Sequence, residues 1–212
     1  MEQKVLLFDF DGVLVDSMPY WGRKMLNILD AYHVDYPSDI LKTLATKGDV
    51  GSARCFQEEY GIPLSVDELL SRMDEYALPK YRDEIPAKEW VAERLNGWRE
   101  QGCSLNVLTA SPHRMLDPCL KRLGLYDLFD NVWSTDDLGL PKTDPEIYRM
   151  TARKLGVPEG DVVFFDDNVN AVRTAAEAGM VTVGVYDPSG EDYTEQICGI
   201  ADRYIHSFAE IE

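Results

Sequence analysis

Four aspartates set the chemistry open to this chain: Asp9 and Asp11 in Asp9-Phe10-Asp11-Gly12, and the adjacent pair Asp166-Asp167. Asp9 and Asp166 each follow a short apolar run, Lys4 to Phe8 and Val162 to Phe165, and a third run, Leu105 to Leu108, ends at Thr109. A lone Asp-x-Asp is a common solvated strand end. Three runs that each deliver a polar group in order describe a site, because ligands of an open parallel sheet bind beyond the carboxyl ends of its strands. In one crevice, two like charges ~4 Å apart would repel by about 4 kcal/mol at an effective dielectric near 20. Four such carboxylates require raised proton affinities or a divalent cation. Oxygen donors with no His or Cys nearby favour Mg2+ over zinc. Mg2+ pairs one or two carboxylates with a phosphate oxygen, which points to phosphoryl transfer.

The elements that must position these residues are legible. The three runs, with Val181 to Tyr186, are apolar on successive positions and rich in β-branched or aromatic residues, as in strands buried on both faces. Asn131 to Ser134 is a further candidate strand, and Arg203 to His206 an edge candidate. Between them lie helical patterns such as Trp90-Val91-Arg94-Leu95-Trp98 and Met115-Leu116-Cys119-Leu120-Leu123, closed by Gly102 and Gly124. Strand, helix, glycine, strand, repeated, predicts an α/β doubly wound parallel sheet. Residues 16–85 break that rhythm with four helical patterns and no strand, and read as a helical insertion; residues 1–15 and 86–212 form the α/β part.

Composition narrows the partners. The 212 residues carry 21 Lys plus Arg against 38 Asp plus Glu, a net charge of −17, which disfavours nucleic acid and anionic membranes. No apolar run approaches the ~20 residues of a spanning helix. The start shows no basic flank leading into an apolar stretch, and Cys55, Cys103, Cys119 and Cys198 are scattered. A cytoplasmic protein is expected, with these cysteines as reduced, small core residues. Trp90 and Trp98 are expected in the core, and His113 at the surface.

The residues also form a familiar set. Asp9-Phe10-Asp11-Gly12-Val13-Leu14-Val15-Asp16-Ser17 closely resembles the first motif of the haloacid dehalogenase superfamily. Val107-Leu108-Thr109-Ala110-Ser111 is similar to its second motif, Lys142 in Pro141-Lys142-Thr143-Asp144 to its third, and Phe165-Asp166-Asp167-Asn168 to its fourth. The resemblance implies that Asp9 is the nucleophile, forming an aspartyl-phosphate, and that Asp11 is the general acid and base. It implies that Thr109 holds a phosphoryl oxygen and that Lys142, one of nine lysines, neutralises the nucleophile and the transferring group. Asp9, Asp11 (through its backbone carbonyl), Asp166 and Asp167 would hold Mg2+. The aspartate at position 11 favours a phosphate ester over a carbon-centred reaction. Two departures stand out: Thr143 replaces a frequent proline and Asn170 a frequent aspartate.

The insertion is similar to the helical cap of the β-phosphoglucomutase and phosphoglycolate phosphatase branch, and the resemblance implies strand order 3-2-1-4-5. Lys47, Arg54 and Ser111 are the substrate-binding candidates. The expected activity is Mg2+-dependent hydrolysis of a small phosphorylated metabolite, with a sugar-phosphate mutase and a non-catalytic binding protein as alternatives. Hydrolysis leads because the histidine that mutase relatives carry after motif one is Trp21 here, and a basic cap-loop residue is Gly51.

Overall fold

The computed structural model describes residues 4–45 and 47–211. The chain divides into two compact units, Met1–Ser17 with Ile85–Glu212, and Met18–Glu84. The leader expectation rested on the first residues, of which 1–3 lie outside the described range.

In the first unit six parallel strands follow from the apolar runs: β1 Val5–Phe8, β2 Ser104–Thr109, β3 Asn131–Ser134, β4 Val162–Asp166, β5 Val181–Val185 and β6 Arg203–Ile205. Their order, β3-β2-β1-β4-β5-β6, contains the expected arrangement and adds the edge candidate as β6. All four residues of β1 are buried, as a central parallel strand requires. Side-chain alternation sends Leu7 and Phe164 to one face and Phe8 and Phe165 to the other. Phe8 and Phe165 stack at 4.7 Å between ring centres, with Trp98 at 5.7 Å from Phe8 and Phe208 at 6.0 Å from Phe165. On the opposite face Leu7 and Phe164 pack in one cluster with Ile147, Tyr148 and Ala175.

Register decides where the polar groups fall. Phe8 pairs with both Val107 and Phe165, so Asp9 is level with Asp166 and one residue short of Thr109. The ladder runs one residue past β1, since Asp9 N–H donates to Phe165 O at 2.9 Å. The central strands thus end together at one edge of the sheet.

The second unit, inserted in sequence after Ser17, is built from α1 Met18–Ala31, α2 Ile40–Ala45, α3 Gly48–Glu58 and α4 Val66–Asp83. Met25, Leu29, Leu44, Phe56, Leu69 and Met73 form its apolar cluster, matching the four periodic patterns. α4 opens with a reciprocal cap in which Ser65 and Glu68 satisfy each other's backbone N–H groups. Lys24 is buried here, and its ammonium donates to both oxygens of Asp49 at 2.8 Å.

The remaining helices belong to the first unit: α5 Val91–Glu100, α6 His113–Arg122, α7 Thr135–Leu138, α8 Pro145–Leu155, α9 Val169–Ala178 and α10 Thr194–Cys198. Trp98 is core as expected, but Trp90 is 51% exposed. Trp90 precedes α5 with a left-handed backbone, φ +67°, which takes its side chain off the apolar face of that helix. Cys198 is exposed as well, because Ile197 takes the inward position on α10. Among the described residues no helix is long and apolar enough to cross a membrane.

Candidate active site

Asp9, at the end of β1, is followed by a tight turn in which Leu14 and Val15 N–H both donate to Phe10 O. Gly12 has φ +73°, and a Cβ built on it would lie 2.4 Å from Asp167 Oδ2. The glycine after Asp-x-Asp is therefore required twice, by its left-handed conformation and by the carboxylate pressed against it. The turn separates the roles of the two aspartates. Asp11 leaves the sheet edge and accepts hydrogen bonds from Ser17 Oγ at 2.6 Å and from Ser111 Oγ. Asp9 stays at the edge with Asp166 and Asp167, and oxygens of these three lie within 4.8 Å of one another. The four-carboxylate cluster expected from the sequence is thus three, with the Asp11 side chain held apart by two hydroxyls.

Lys142 lies in the loop between α7 and α8. Its buried ammonium is 2.6 Å from Asp9 Oδ1 and 2.8 Å from Asp166 Oδ2, and 5.4 Å from the centre of the Phe164 ring. The other Asp166 oxygen accepts from Asn168 N–H at 2.7 Å, so Asp166 is satisfied on both sides. Asp9 Oδ1 is buried yet accepts no well-aligned hydrogen bond, although the ammonium is near.

One lysine against three carboxylates leaves negative charge uncompensated, and the proton affinities show it. Burial, reinforced by Asp166 and opposed by Lys142, raises the Asp9 carboxyl from 3.8 to about 6. Burial, then Asp166, Asp9 and Asp187, push Asp167 well above the carboxylate range, against the pull of Lys88. Burial weakens the Lys142 ammonium, but Asp166 and Asp9 more than offset this and hold it above the ordinary lysine value. An oxygen-only donor set and excess negative charge fit a hard divalent cation such as Mg2+. Asp9 and Asp167 are the side chains suited to hold it, with Asp166 tied to Lys142.

Thr109 closes the edge from β2. It is 1% exposed, and its Oγ1 accepts from Ser111 N–H at 3.1 Å. The Thr109–Ser111 segment therefore positions Ser111 to clasp Asp11.

The model for haloacid dehalogenase-like hydrolases matches residues 3–179. The chain belongs to that family. This hydrolase is 28% identical over 207 residues to hexitol phosphatase B of Escherichia coli (strain K12), covering 97% of this chain and 92% of the relative. It is 26% identical over 177 residues to a phosphorylated carbohydrates phosphatase of Thermotoga maritima, covering 84% and 82%. The crystal structure of CbbY from Rhodobacter sphaeroides in complex with phosphate shares the fold at a TM-score of 0.84, with 24% identity over 99% of this chain and 96% of that one. This hydrolase is an enzyme of the haloacid dehalogenase type, and these two sequence relatives are named as phosphatases.

Two substrate-binding candidates of the hydrolase, Lys47 and Arg54, lie in its inserted unit. Lys47 precedes α3 and pairs with Glu59 at 3.6 Å; Arg54 is exposed on α3. A Cβ on Gly51 would come within 2.8 Å of Lys47 Cβ, so the glycine at the departed mutase position leaves room for the lysine stem.

Three groups escaped sequence reasoning. His113 is not an unpartnered surface residue: its Nδ1 meets Asp117 and its Nε2 meets Asp137, both at 2.8 Å. Those hydrogen bonds raise its pKa and tie the start of α6 to α7. Ser17 ends the first motif, but its role appears only once the turn brings it to Asp11. Lys88 joins the end of β5 to the Gly12 turn, and no local spacing announces it.

Proposed function

We propose that this hydrolase is a Mg2+-dependent phosphatase that cleaves small phosphorylated metabolites through an aspartyl-phosphate on Asp9. The observation that carries the reading is the division of labour between two aspartates two residues apart. Asp9 lies against Lys142 in a buried cluster, whereas Asp11 is held outside it by Ser17 and Ser111.

In the first step the Asp9 carboxylate attacks phosphorus, and the bond from phosphorus to the ester oxygen breaks. Protonated Asp11 gives its proton to the leaving oxygen and becomes a carboxylate. In the second step that carboxylate takes a proton from water as the water oxygen attacks phosphorus. The Asp9–phosphorus bond breaks, and inorganic phosphate leaves. Lys142 offsets charge on Asp9 and on the transferring group throughout. Asp9, Asp167 and the Asp11 carbonyl, with Asp166, would hold Mg2+, which would supply electrostatic stabilisation of the phosphoryl oxygens. Thr109 and Ser111 are suited to orient those oxygens, and Lys47 and Arg54 are the candidates in the helical insertion, read as a cap, for a second polar or anionic group on the substrate. The names of the phosphatase relatives support phosphorylated sugars or sugar alcohols as the first substrates to try.

Hydrolysis is favoured over phosphoryl return to a sugar because Trp21 cannot accept and relay a proton and Gly51 has no basic side chain to hold an anion. The test measures phosphate release from a sugar-phosphate panel with Mg2+, together with mass spectrometry of an acid-quenched reaction. Phosphate release abolished by EDTA and by Asp9→Asn, with a phosphoryl adduct on the Asp9 peptide, is expected. EDTA-insensitive release, or isomerised sugar phosphate without free phosphate, overturns the reading.

A further inference from the structure

Lys88 has no place in the family's four motifs, yet it is the best-satisfied cation beside the site. Its ammonium donates to Gly12 O at 2.7 Å, Tyr186 O at 2.7 Å and Asp187 Oδ2 at 3.1 Å, one acceptor for each N–H. The side chain is 18% exposed and that of Asp187 only 2%. Lys88 is itself anchored, because its N–H donates to Leu14 O and Asp16 N–H donates to Pro86 O, both at 3.0 Å. Asp187 is equally fixed: its other oxygen accepts from Ser189 N–H at 2.9 Å and Ser189 Oγ at 2.6 Å.

These contacts flank Asp167 on two sides. Gly12, whose carbonyl Lys88 holds, lies against the Asp167 carboxylate, and Gly190, in the turn Asp187 caps, lies against the Asp167 backbone. Desolvating an ammonium costs several kcal/mol, and an apolar side chain could fill the same space without that cost. An ion pair whose carboxylate is fully buried calls for a reason beyond packing.

We propose that Lys88 is a positioning residue for the Asp9–Gly12 turn and that the Lys88–Asp187 pair sets the charge felt by the cation site at Asp167. Lys88 fixes the carbonyl of the residue following Asp11, and so the direction in which Asp11 leaves the sheet edge. The two members of the pair act on the site with opposite sign: Lys88 opposes a divalent cation and Asp187 attracts it. The inference rests on the proposed Mg2+-dependent reading.

The test uses the full chain and the variants Lys88→Met, Asp187→Asn and the double variant. Calorimetric titration with Mg2+ alone, thermal unfolding without metal, and kcat and KM at saturating Mg2+ are measured on each. Lys88→Met is expected to bind Mg2+ about tenfold more tightly, since a nearby positive charge is gone, while kcat falls at least about tenfold with KM changed less than about threefold. Asp187→Asn, which keeps an oxygen for Lys88, is expected to bind Mg2+ about tenfold more weakly. The double variant returns to within about threefold of the parent affinity but keeps the low kcat. A purely structural role predicts instead that both single variants lose Mg2+ affinity in step with thermal stability, and that result overturns the proposal. If Lys88→Met does not fold, Asp187→Asn decides by its sign: weaker binding at unchanged stability supports the proposal, and unchanged or tighter binding overturns it. A parent protein that binds no Mg2+ overturns both this inference and the proposed function. A parent that binds Mg2+ with variants that fail to diverge overturns this inference alone.

Discussion

Asp9→Asn is expected to abolish turnover and, in the metal-free protein, to stabilise the fold. Burial and Asp166 raise the Asp9 carboxyl from 3.8 to about 6 even with Lys142 beside it. Near pH 7.5, a group with that displacement costs about 3 kcal/mol more to ionise in the folded chain than in the unfolded one. Asparagine has the shape of the protonated acid and carries no charge, so it escapes that cost. The lost attraction to Lys142 is already contained in the net displacement. Allowing for imperfect replacement by an amide, we expect roughly 1.5–3 kcal/mol, or about 4–10 °C in Tm for a chain of this size. The sign with pH follows directly. The folded protein binds the proton more tightly than the unfolded one, so this stability is present at low pH and is lost as pH rises from about 4 through about 6. The advantage of the variant should therefore vanish below about pH 4 and be fully developed above about pH 7. Thermal unfolding in EDTA across that range is the assay, and added Mg2+ should raise the parent Tm more than that of the variant. A variant no more stable than the parent in EDTA at neutral pH would refute the argument that excess negative charge strains this site.

Gly12→Ala places a Cβ against Asp167 at a positive φ and should lower stability by about 2 kcal/mol or more while weakening Mg2+ binding, both read by metal titration and unfolding. Asp11→Asn should cost about 10²–10⁴ in kcat on an alkyl phosphate and markedly less on an aryl phosphate, whose leaving oxygen needs no proton; equal losses on both substrates would argue against Asp11 as the acid. His113 has a raised pKa through Asp117 and then Asp137, so its contribution is present below the ordinary histidine value and is lost as pH rises through the folded one. The Tm gap between the parent and His113→Asn should accordingly be wide near pH 6 and narrow as the pH rises into the alkaline range, and a gap independent of pH would contradict the paired-imidazolium geometry. Asp49→Asn leaves the buried Lys24 ammonium without its charge partner, and, since Asp49 is itself partly solvated and the amide keeps an acceptor, a loss of about 1–2 kcal/mol in unfolding free energy is expected.

The amino-acid order alone carried the strands and the edge they share. Apolar runs such as Val5–Phe8 suit strands buried on both faces, as in a parallel sheet, and a polar residue at the end of each run marks the side where a ligand meets it. Helical periodicity carried the insertion in the same way, since a repeating stripe records which face a helix buries. Asp9, Thr109, Asp166 and Asp167 could therefore be named, and Lys142 through its flanking motif. Tertiary structure alone decided which carboxylates act together. Asp11 differs from Asp9 by the path of one turn through Gly12, and that path is set by the Asp167 carboxylate, the Lys88 ammonium and two serines brought in by the fold. His113 with Asp137, and Lys88 with Asp187, are likewise pairs remote in sequence. Periodicity reports what a residue does within its own element, whereas a charge is satisfied by whatever the packing of several elements brings within about 3 Å of it.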